Sequence, residues 1–440
     1  MIPIYSLVEA KRTILIRKSI VDTKASPQIN DQIVKLFGEA LTIQEVVKLI
    51  IDDVAKNNDR ALIEWTEKLD KYDISNSIEV NSWQMEEALK RIEPELRDVL
   101  TETRGRILAF HQKQPVSSWT TNELGGRLGQ IITPIQRVGF YVPGGSTPLP
   151  STIIHSVCPA LVAGVDEIII VSPPPISPII LATCELMREM NAKLRIFQIG
   201  GAQAIAALAF GTKSVPKVNK IVGPGNIFVT LAKREVFGIV GIDGIAGPTE
   251  AVILADKTAN PELIASDLLA QAEHDYLSIP ILITTSSELA SLVKISIEEQ
   301  LSKLSRAEKA LYAIENNGGI ILVDNIAEAV SIVNDFAPEH LSIVMKNQQE
   351  IVSQIKNSGG IFIGESSCEV MGDYVAGPSH VMPTGGAAKF SSPLSVLDFL
   401  KITSLVALDI ETVKILAPIA EILACKENLT AHSEAARRRI

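Results

Sequence analysis

The residues best suited to chemistry are histidines and their neighbours, because the chain carries only six: His111, His155, His274, His340, His380 and His432. Gln271 and His274 stand at i and i+3 near the end of a predicted helix, in Gln271-Ala272-Glu273-His274-Asp275. That spacing puts both side chains on one face, where they can chelate a single metal ion or merely solvate a helix end. Pro338-Glu339-His340 sets a carboxylate beside an imidazole. Adjacent residues diverge on a regular helix or strand, so both reach one cleft only at an irregular turn, which the proline encourages. There they supply two general bases, or a base and its tuner; otherwise they decorate a solvated strand start. Asp373 and His380 lie in a glycine-punctuated loop, Gly372-Asp373-Tyr374 and Gly377-Pro378-Ser379-His380, within reach of a metal or a substrate. Glu427 and His432 would point apart on a continuous helix, so either the helix breaks or they serve different parts of a site. A donor set of Gln, His, Asp and His offers nitrogen and oxygen without sulfur. It suits zinc or another divalent transition metal with open positions, although a glutamine carbonyl is an unusual zinc ligand.

Local pattern says which elements carry these groups. From about residue 130, short β-branched runs alternate with helical ones. The predicted strands are Glu167–Val171, Arg195–Ile199, Lys220–Val222, Ala251–Leu254, Ile279–Thr284, Gly319–Val323, Leu341–Met345 and Gly360–Ile363. Helices are expected between them, for example Pro261–Glu273 and Ile326–Phe336. This alternation predicts parallel sheets with covering helices. Gly200-Gly201-Ala202-Gln203 and Gly223-Pro224-Gly225-Asn226 sit at strand-to-helix joints, either as tight turns or as places where backbone N–H groups approach a phosphate. The N-terminal third reads as helical, with a capping box at Thr42 and Glu45 and Pro94 at a first helical position. Val138–Val165 lacks charge but holds repeated prolines and glycines, which predicts loops around buried structure. After Phe399 the pattern is helical again, ending in an arginine run read as a solvated helix end.

The chain has 440 residues, long enough for two or three domains. Its 41 basic and 51 acidic side chains leave a net charge of −10, against a general nucleic-acid binder. No stretch makes a membrane-spanning helix or a signal peptide. The four cysteines, Cys158, Cys184, Cys368 and Cys425, form no CxxC pair. They read as buried thiols of a reducing cytosol, the other reading being a nucleophile that forms a thiohemiacetal. The common dinucleotide, P-loop, metalloprotease and nucleophile-elbow fingerprints are absent.

Seven segments in order carry a resemblance: Phe140-Tyr141-Val142-Pro143-Gly144-Gly145, Gly200-Gly201-Ala202-Gln203-Ala204-Ile205, Gly223-Pro224-Gly225-Asn226, Gln271-Ala272-Glu273-His274, Ala337-Pro338-Glu339-His340, Gly372-Asp373-Tyr374 and Leu429-Thr430-Ala431-His432. Together, over about residues 30–440, the chain resembles histidinol dehydrogenase, a zinc- and NAD-dependent family. The resemblance implies an α/β fold of two incomplete Rossmann-like, parallel-sheet domains with N- and C-terminal helical arms. The implied divisions are an arm at 1–36, a discontinuous α/β domain at 37–140 and 249–393, an inserted NAD-contacting domain at 141–248, and a dimerisation tail at 394–440. It implies one Zn²⁺ per subunit on Gln271, His274, Asp373 and His432, and NAD contacts from Tyr141, Gln203 and Asn226. Glu339 and His340 would be the acid–base pair. Thr249 (where the family usually has serine), Gln271, His274, His340, Asp373, His380, Glu427 and His432 would hold L-histidinol. The expected protein is a cytoplasmic homodimer whose site the partner completes, with no nucleic-acid or membrane partner. The alternative within the class is a related zinc/NAD dehydrogenase of another small polar alcohol. A metal-dependent hydrolase is the alternative outside it.

Overall fold

In the computed structural model, residues 1–17, 27–114, 116–144, 148–190 and 192–439 are described. Residues 18–26 of the expected N-terminal arm, Gly145 of the Phe140–Gly145 segment and Ile440 of the terminal run lie outside them. The strands are β1 (Ile4–Ser6), β2 (Trp119–Thr121), β3 (Arg127–Pro134), β4 (Arg137–Tyr141), β5 (Glu167–Val171), β6 (Lys193–Phe197), β7 (Lys220–Val222), β8 (Gly241–Ile242), β9 (Glu250–Ala255), β10 (Ile279–Thr284), β11 (Gly319–Leu322), β12 (His340–Val344), β13 (Gly360–Ile363) and β14 (Leu400–Ala407).

Two all-parallel sheets form the frame, as expected. The first runs β1-β11-β10-β9-β12-β13 and the second β6-β5-β4-β7-β8. β9 and β12 are buried at every position. Helices cover both faces, so these central strands can be unbroken apolar runs instead of alternating ones. Apart from the edge strand β1, the chain winds outward to one side in each sheet (β9 to β11, β4 to β6) and then crosses back, at β9/β12 in the first and β4/β7 in the second.

Several elements depart from expectation. Pro150–Ala163, read as loop, is a buried helix. Pro150 begins it, where a missing N–H costs nothing, and Pro159 is carried in its interior by burial in the core that the helix shares with helices Pro94–His111 and Pro178–Arg188 and the second sheet. Leu400–Ala407, read as helical, is β14; it pairs antiparallel with β3, which pairs with β2, in a third sheet. The cores also cross the expected boundaries. Helices Ile43–Asn57, Ser82–Arg91 and Pro94–His111 share cores with the second sheet, not the first. β1, from the N-terminal arm, is an edge strand of the first sheet, beside β11. The Thr42 capping box is present, with Glu45 N–H donating to Thr42 Oγ1 (3.2 Å) and Thr42 N–H to Glu45 Oε2 (2.8 Å). Arg437 and Arg438 pair with Glu434 on the exposed last helix.

Candidate active site between two sheet edges

The second sheet presents its carboxyl edge. Tyr141 ends β4, Gly200–Gly201 opens helix Gly201–Phe210 soon after β6, and Gly223–Asn226 leads from β7 into helix Ile227–Val236. In open parallel sheets this edge, at the crossing point, is where helix N-termini converge and phosphates bind. Gly223 has φ +117°, and a Cβ there would run into the Tyr141 carbonyl oxygen, so only glycine lets the ends of β4 and β7 approach this closely. Tyr141 and Gln203 lie just beneath the edge. Gly201 N–H donates to Tyr141 Oη (3.2 Å), and burial pushes the phenol up to about 12. Gln203 is 1% exposed, its Nε2 donates to Asp70 Oδ2 (3.4 Å), and its Oε1 has no protein partner. Asn226 is exposed and caps its helix, accepting from Phe228 N–H (3.1 Å) and Val229 N–H (3.2 Å).

A buried ion pair ties this edge to the segment that leads into β9. Lys233 donates to Gly223 O (2.9 Å) and pairs with Asp243, which also accepts from Gly223 N–H (2.7 Å) and Gly244 N–H (2.7 Å). Neither residue stands out in the sequence, because a lysine near a helix C-terminus and an aspartate in a loop carry no local signal.

The first sheet presents its amino edge, the opposite end. Thr249 and Glu250 stand at the start of β9, and Glu339 and His340 at the start of β12. Helix Pro261–Ala272 follows β9 and runs back beside it, so its C-terminal end returns Gln271 and His274 to this edge. Helix Ile326–Phe336 likewise ends here, at Ala337 in the left-handed region with φ 51°. An edge collecting helix C-termini carries partial negative charge and favours a cation, the reverse of the phosphate edge facing it. A cleft of about 260 Å³ lies between the two edges; its lining includes Leu149, Ser151, Pro224 and Asp243 from one side and Thr249, His274, Glu339, His340, Asp373 and His380 from the other.

The irregular turn expected at Pro338 brings Glu339 and His340 into one cleft, with His340 Nδ1 3.7 Å from Glu339 Oε2. Glu339 Oε2 accepts from Thr249 Oγ1–H (2.7 Å) and Glu250 N–H (3.0 Å). Burial raises the Glu339 carboxyl, against the pull of His340 and Thr249. Burial also works against a charged His340, but Glu339, Asp373 (3.3 Å from Nε2) and Glu369 override it and hold the ring up at about 10. His274 is pushed down by burial and is neutral, whereas Asp373, despite burial, is held low by His340. Both are in the protonation states a metal needs.

Other groups at this site have no counterpart among the sequence expectations. Glu369 is 1% exposed, burial lifts it to about 8, and its Oε2 has no protein partner. Gln271 Nε2 donates to Thr249 Oγ1, which leaves the hydroxyl proton of Thr249 to Glu339. His155, from the unexpected helix, stacks on His380 with ring centroids 4.1 Å apart. Its Nδ1 accepts from His380 N–H (3.2 Å), and burial together with His380 pulls it down to about 3. The ring is therefore neutral and carries its proton on Nε2, toward Tyr374 O (3.3 Å). His380 Nδ1 lies 2.8 Å from Asp373 O, which leaves its Nε2 to the cleft. Glu369 and His155 carry no local signal: a glutamate in a short helix and a histidine among prolines acquire meaning only through their neighbours.

Glu427 and His432 are exposed on the C-terminal tail and do not line the cleft. Among the described residues no three His, Cys, Asp or Glu side chains group to hold a metal. Of the expected donors, Gln271 is not of these types and His432 lies on that tail. Cys158 and Cys184 are free and buried, and burial pushes both thiols far up, against the nucleophile reading.

Comparison with known proteins agrees with this arrangement. A sequence model described as histidinol dehydrogenase matches residues 38–440. A histidinol dehydrogenase from Dehalococcoides mccartyi is 46% identical over 398 residues, 90% of this chain and 91% of the relative. One from Deinococcus radiodurans is 43% identical over 416 residues, 93% of each. The crystal structure of histidinol dehydrogenase from Elizabethkingia anophelis is 33% identical, with a TM-score of 0.90 over 100% of this chain and 98% of that one. With its two opposed parallel-sheet edges and their Glu–His cleft, the chain belongs to the histidinol dehydrogenase family of oxidoreductases.

Proposed function

We propose that this chain oxidises L-histidinol to L-histidine through a bound aldehyde, with two NAD⁺ and water consumed and two NADH released. The observation that carries the reading is the opposition of an acid–base edge, with Glu339 and His340, to a phosphate-binding edge across one cleft. NAD⁺ would lie along the Tyr141, Gln203 and Asn226 edge and accept the hydride. The neutral form of His340 takes the proton of the substrate hydroxyl as the carbon gives up its first hydride, leaving the aldehyde. Glu339 takes a proton from water as the water oxygen bonds to the aldehyde carbon, and the hydrate then gives up the second hydride. Thr249 and Glu250 N–H fix one oxygen of Glu339, so its other oxygen is left to the cleft. His380 Nε2 is an acceptor for the substrate amine or imidazole.

The donors fit a resident zinc ion. Gln271, neutral His274 and anionic Asp373 come from one chain, next to the unpartnered Glu369 oxygen, on an edge whose charge calls for a cation. Zinc, when bound, would orient the nitrogens of the substrate and supply positive charge that the protonated His340 ring supplies without it. The fourth donor, His432, and the substrate contact Glu427 would come from a second copy in a homodimer. Exposed apolar residues of β14 and the tail, among them Ile402, Val406, Ile410, Ile415 and Ile422, support that assembly. The working units are then a zinc and acid–base unit on the first sheet, an NAD unit on the second that includes helices 43–111, and a tail that reaches a partner. We read it as a cytoplasmic enzyme; no helix among the described residues is long and apolar enough to cross a membrane.

Purified protein given limiting histidinol, NAD⁺ and zinc should release close to two NADH per substrate. A yield of one removes the four-electron scheme. Chelation should abolish activity and added Zn²⁺ restore it, with one zinc bound per subunit by metal analysis. Full activity of metal-free protein removes the metal assignment.

A further inference from the structure

We propose that Arg17, on the N-terminal arm, is a positioning residue for the Glu339–His340 pair, acting through Glu250 and the turn at Ala337. The inference rests on the acid–base reading of that pair and names a residue outside the span 38–440 matched to the family.

The Arg17 guanidinium reaches three places at once. It pairs with both carboxylate oxygens of Glu250, at 2.9 Å on Oε2. It donates to Phe336 O (3.1 Å from Nε) and to Ala337 O (3.4 Å), the carbonyls at the end of helix Ile326–Phe336. Its plane also lies 3.9 Å from the centroid of the Phe336 ring. A rigid planar fork is the side chain that can do all of this together; an ammonium makes the charge but not the geometry.

What it holds is the frame of the acid–base pair. Glu250 donates its N–H to Glu339 Oε2 (3.0 Å), and its carbonyl lies 3.3 Å from His340 Nδ1. Ala337, whose left-handed conformation starts the turn, is two residues before Glu339 in the chain. Arg17 therefore pins the start of β9 and the approach to β12, and the pair hangs between them. The Glu250 side chain is 1% exposed and would be a buried carboxylate without a cation if Arg17 were removed. Gly385 N–H also donates to it (3.2 Å), but a neutral amide does not replace the lost charge. The freed carboxylate would swing or take up a proton, and Glu339 would lose its fixed oxygen.

The test uses the full-length holoenzyme and follows alcohol and aldehyde oxidation separately, with histidinol and histidinal as substrates. Arg17→Ala should lower kcat for aldehyde oxidation by about 10- to 100-fold, the scale of a misplaced catalytic group, with KM for histidinal unchanged. Guanidinium chloride at low millimolar concentration should restore part of that loss in Arg17→Ala and none in Glu339→Gln. Arg17→Lys should remain impaired. Glu250→Gln, which breaks the same pair and leaves the arm in place, should show the same selective loss. The inference is overturned if Arg17→Ala and Glu250→Gln oxidise the aldehyde normally while Glu339→Gln does not. It is also overturned if the loss follows only the unfolded fraction by circular dichroism and guanidinium restores nothing. If Glu339→Gln itself leaves aldehyde oxidation intact, the acid–base reading fails first and takes this inference with it.

Discussion

Glu339 and His340 are neighbours in sequence but are held by different partners: the carboxylate by Thr249 and Glu250, the imidazole by Asp373 and the Glu250 carbonyl. This separation predicts a division of labour. His340→Asn should slow alcohol oxidation and Glu339→Gln mainly aldehyde oxidation, each by about 10²- to 10⁴-fold, the usual worth of a general base. Single-turnover rates on the two substrates check this, and equal effects on both half-reactions refute it. Thr249 Oγ1–H holds one oxygen of Glu339. A second residue-scale prediction concerns Asp70, behind Gln203. Burial lifts its carboxyl from an ordinary 3.8 to about 6 in the fold. The folded state therefore binds the proton more tightly than the unfolded one. Whatever stability this gives is complete below the unfolded value and is lost as pH rises through about 6. Asp70→Asn should thus melt at the same temperature as the parent at pH below 4 and higher than it at pH 8, in denaturation scans across that range. Parallel curves at both ends would show that burial of this charge costs nothing.

At the scale of elements, the chemistry follows from which end of each sheet is used. Helix N-termini collect at the carboxyl edge of the second sheet and helix C-termini at the amino edge of the first. One edge suits the phosphates of a dinucleotide and the other a cation. The Lys233–Asp243 pair, with side chains 3% and 11% exposed, clamps the Gly223 turn to the segment that leads into β9. Lys233→Met leaves Asp243 buried without its cation. It should cost about 3–5 kcal/mol of stability, visible in urea denaturation, and raise KM for NAD⁺ as the Gly223 turn loosens. A variant with parental stability and KM would mean that the pair is dispensable to the cofactor edge.

At the scale of the whole molecule, a single chain assembles Thr249, His274, Glu339, His340, Asp373 and His380 but leaves Glu427 and His432 exposed on the tail. If the tail completes a partner's site, inactive His340→Asn and inactive His432→Asn proteins should regain activity when mixed under subunit exchange, since one site of each heterodimer is then intact. Heterodimers confirmed by mass spectrometry and still inactive would place both residues in one chain. The order of strands and helices, the parallel character of the sheets and the residue types at the turns are legible in the sequence, because local periodicity and glycine placement act over a few residues. So is the chemical character of Gln271–His274 and Glu339–His340, since two short motifs carry it. Helix Pro150–Ala163 is not legible: its prolines break an isolated helix, and only burial among its neighbouring helices and the second sheet outweighs them. Nor is β14, whose partner β3 lies far earlier in the chain (Leu400 pairs with Pro134). The sequence by itself determined which groups exist and which short elements carry them. Tertiary structure alone decided that one sheet offers its amino edge, that Glu339, Asp373 and Glu369 crowd the His340 ring, and that Arg17, Glu250 and His155 join them there. Those outcomes depend on burial and on charges brought together from distant parts of the chain, and no local pattern encodes either.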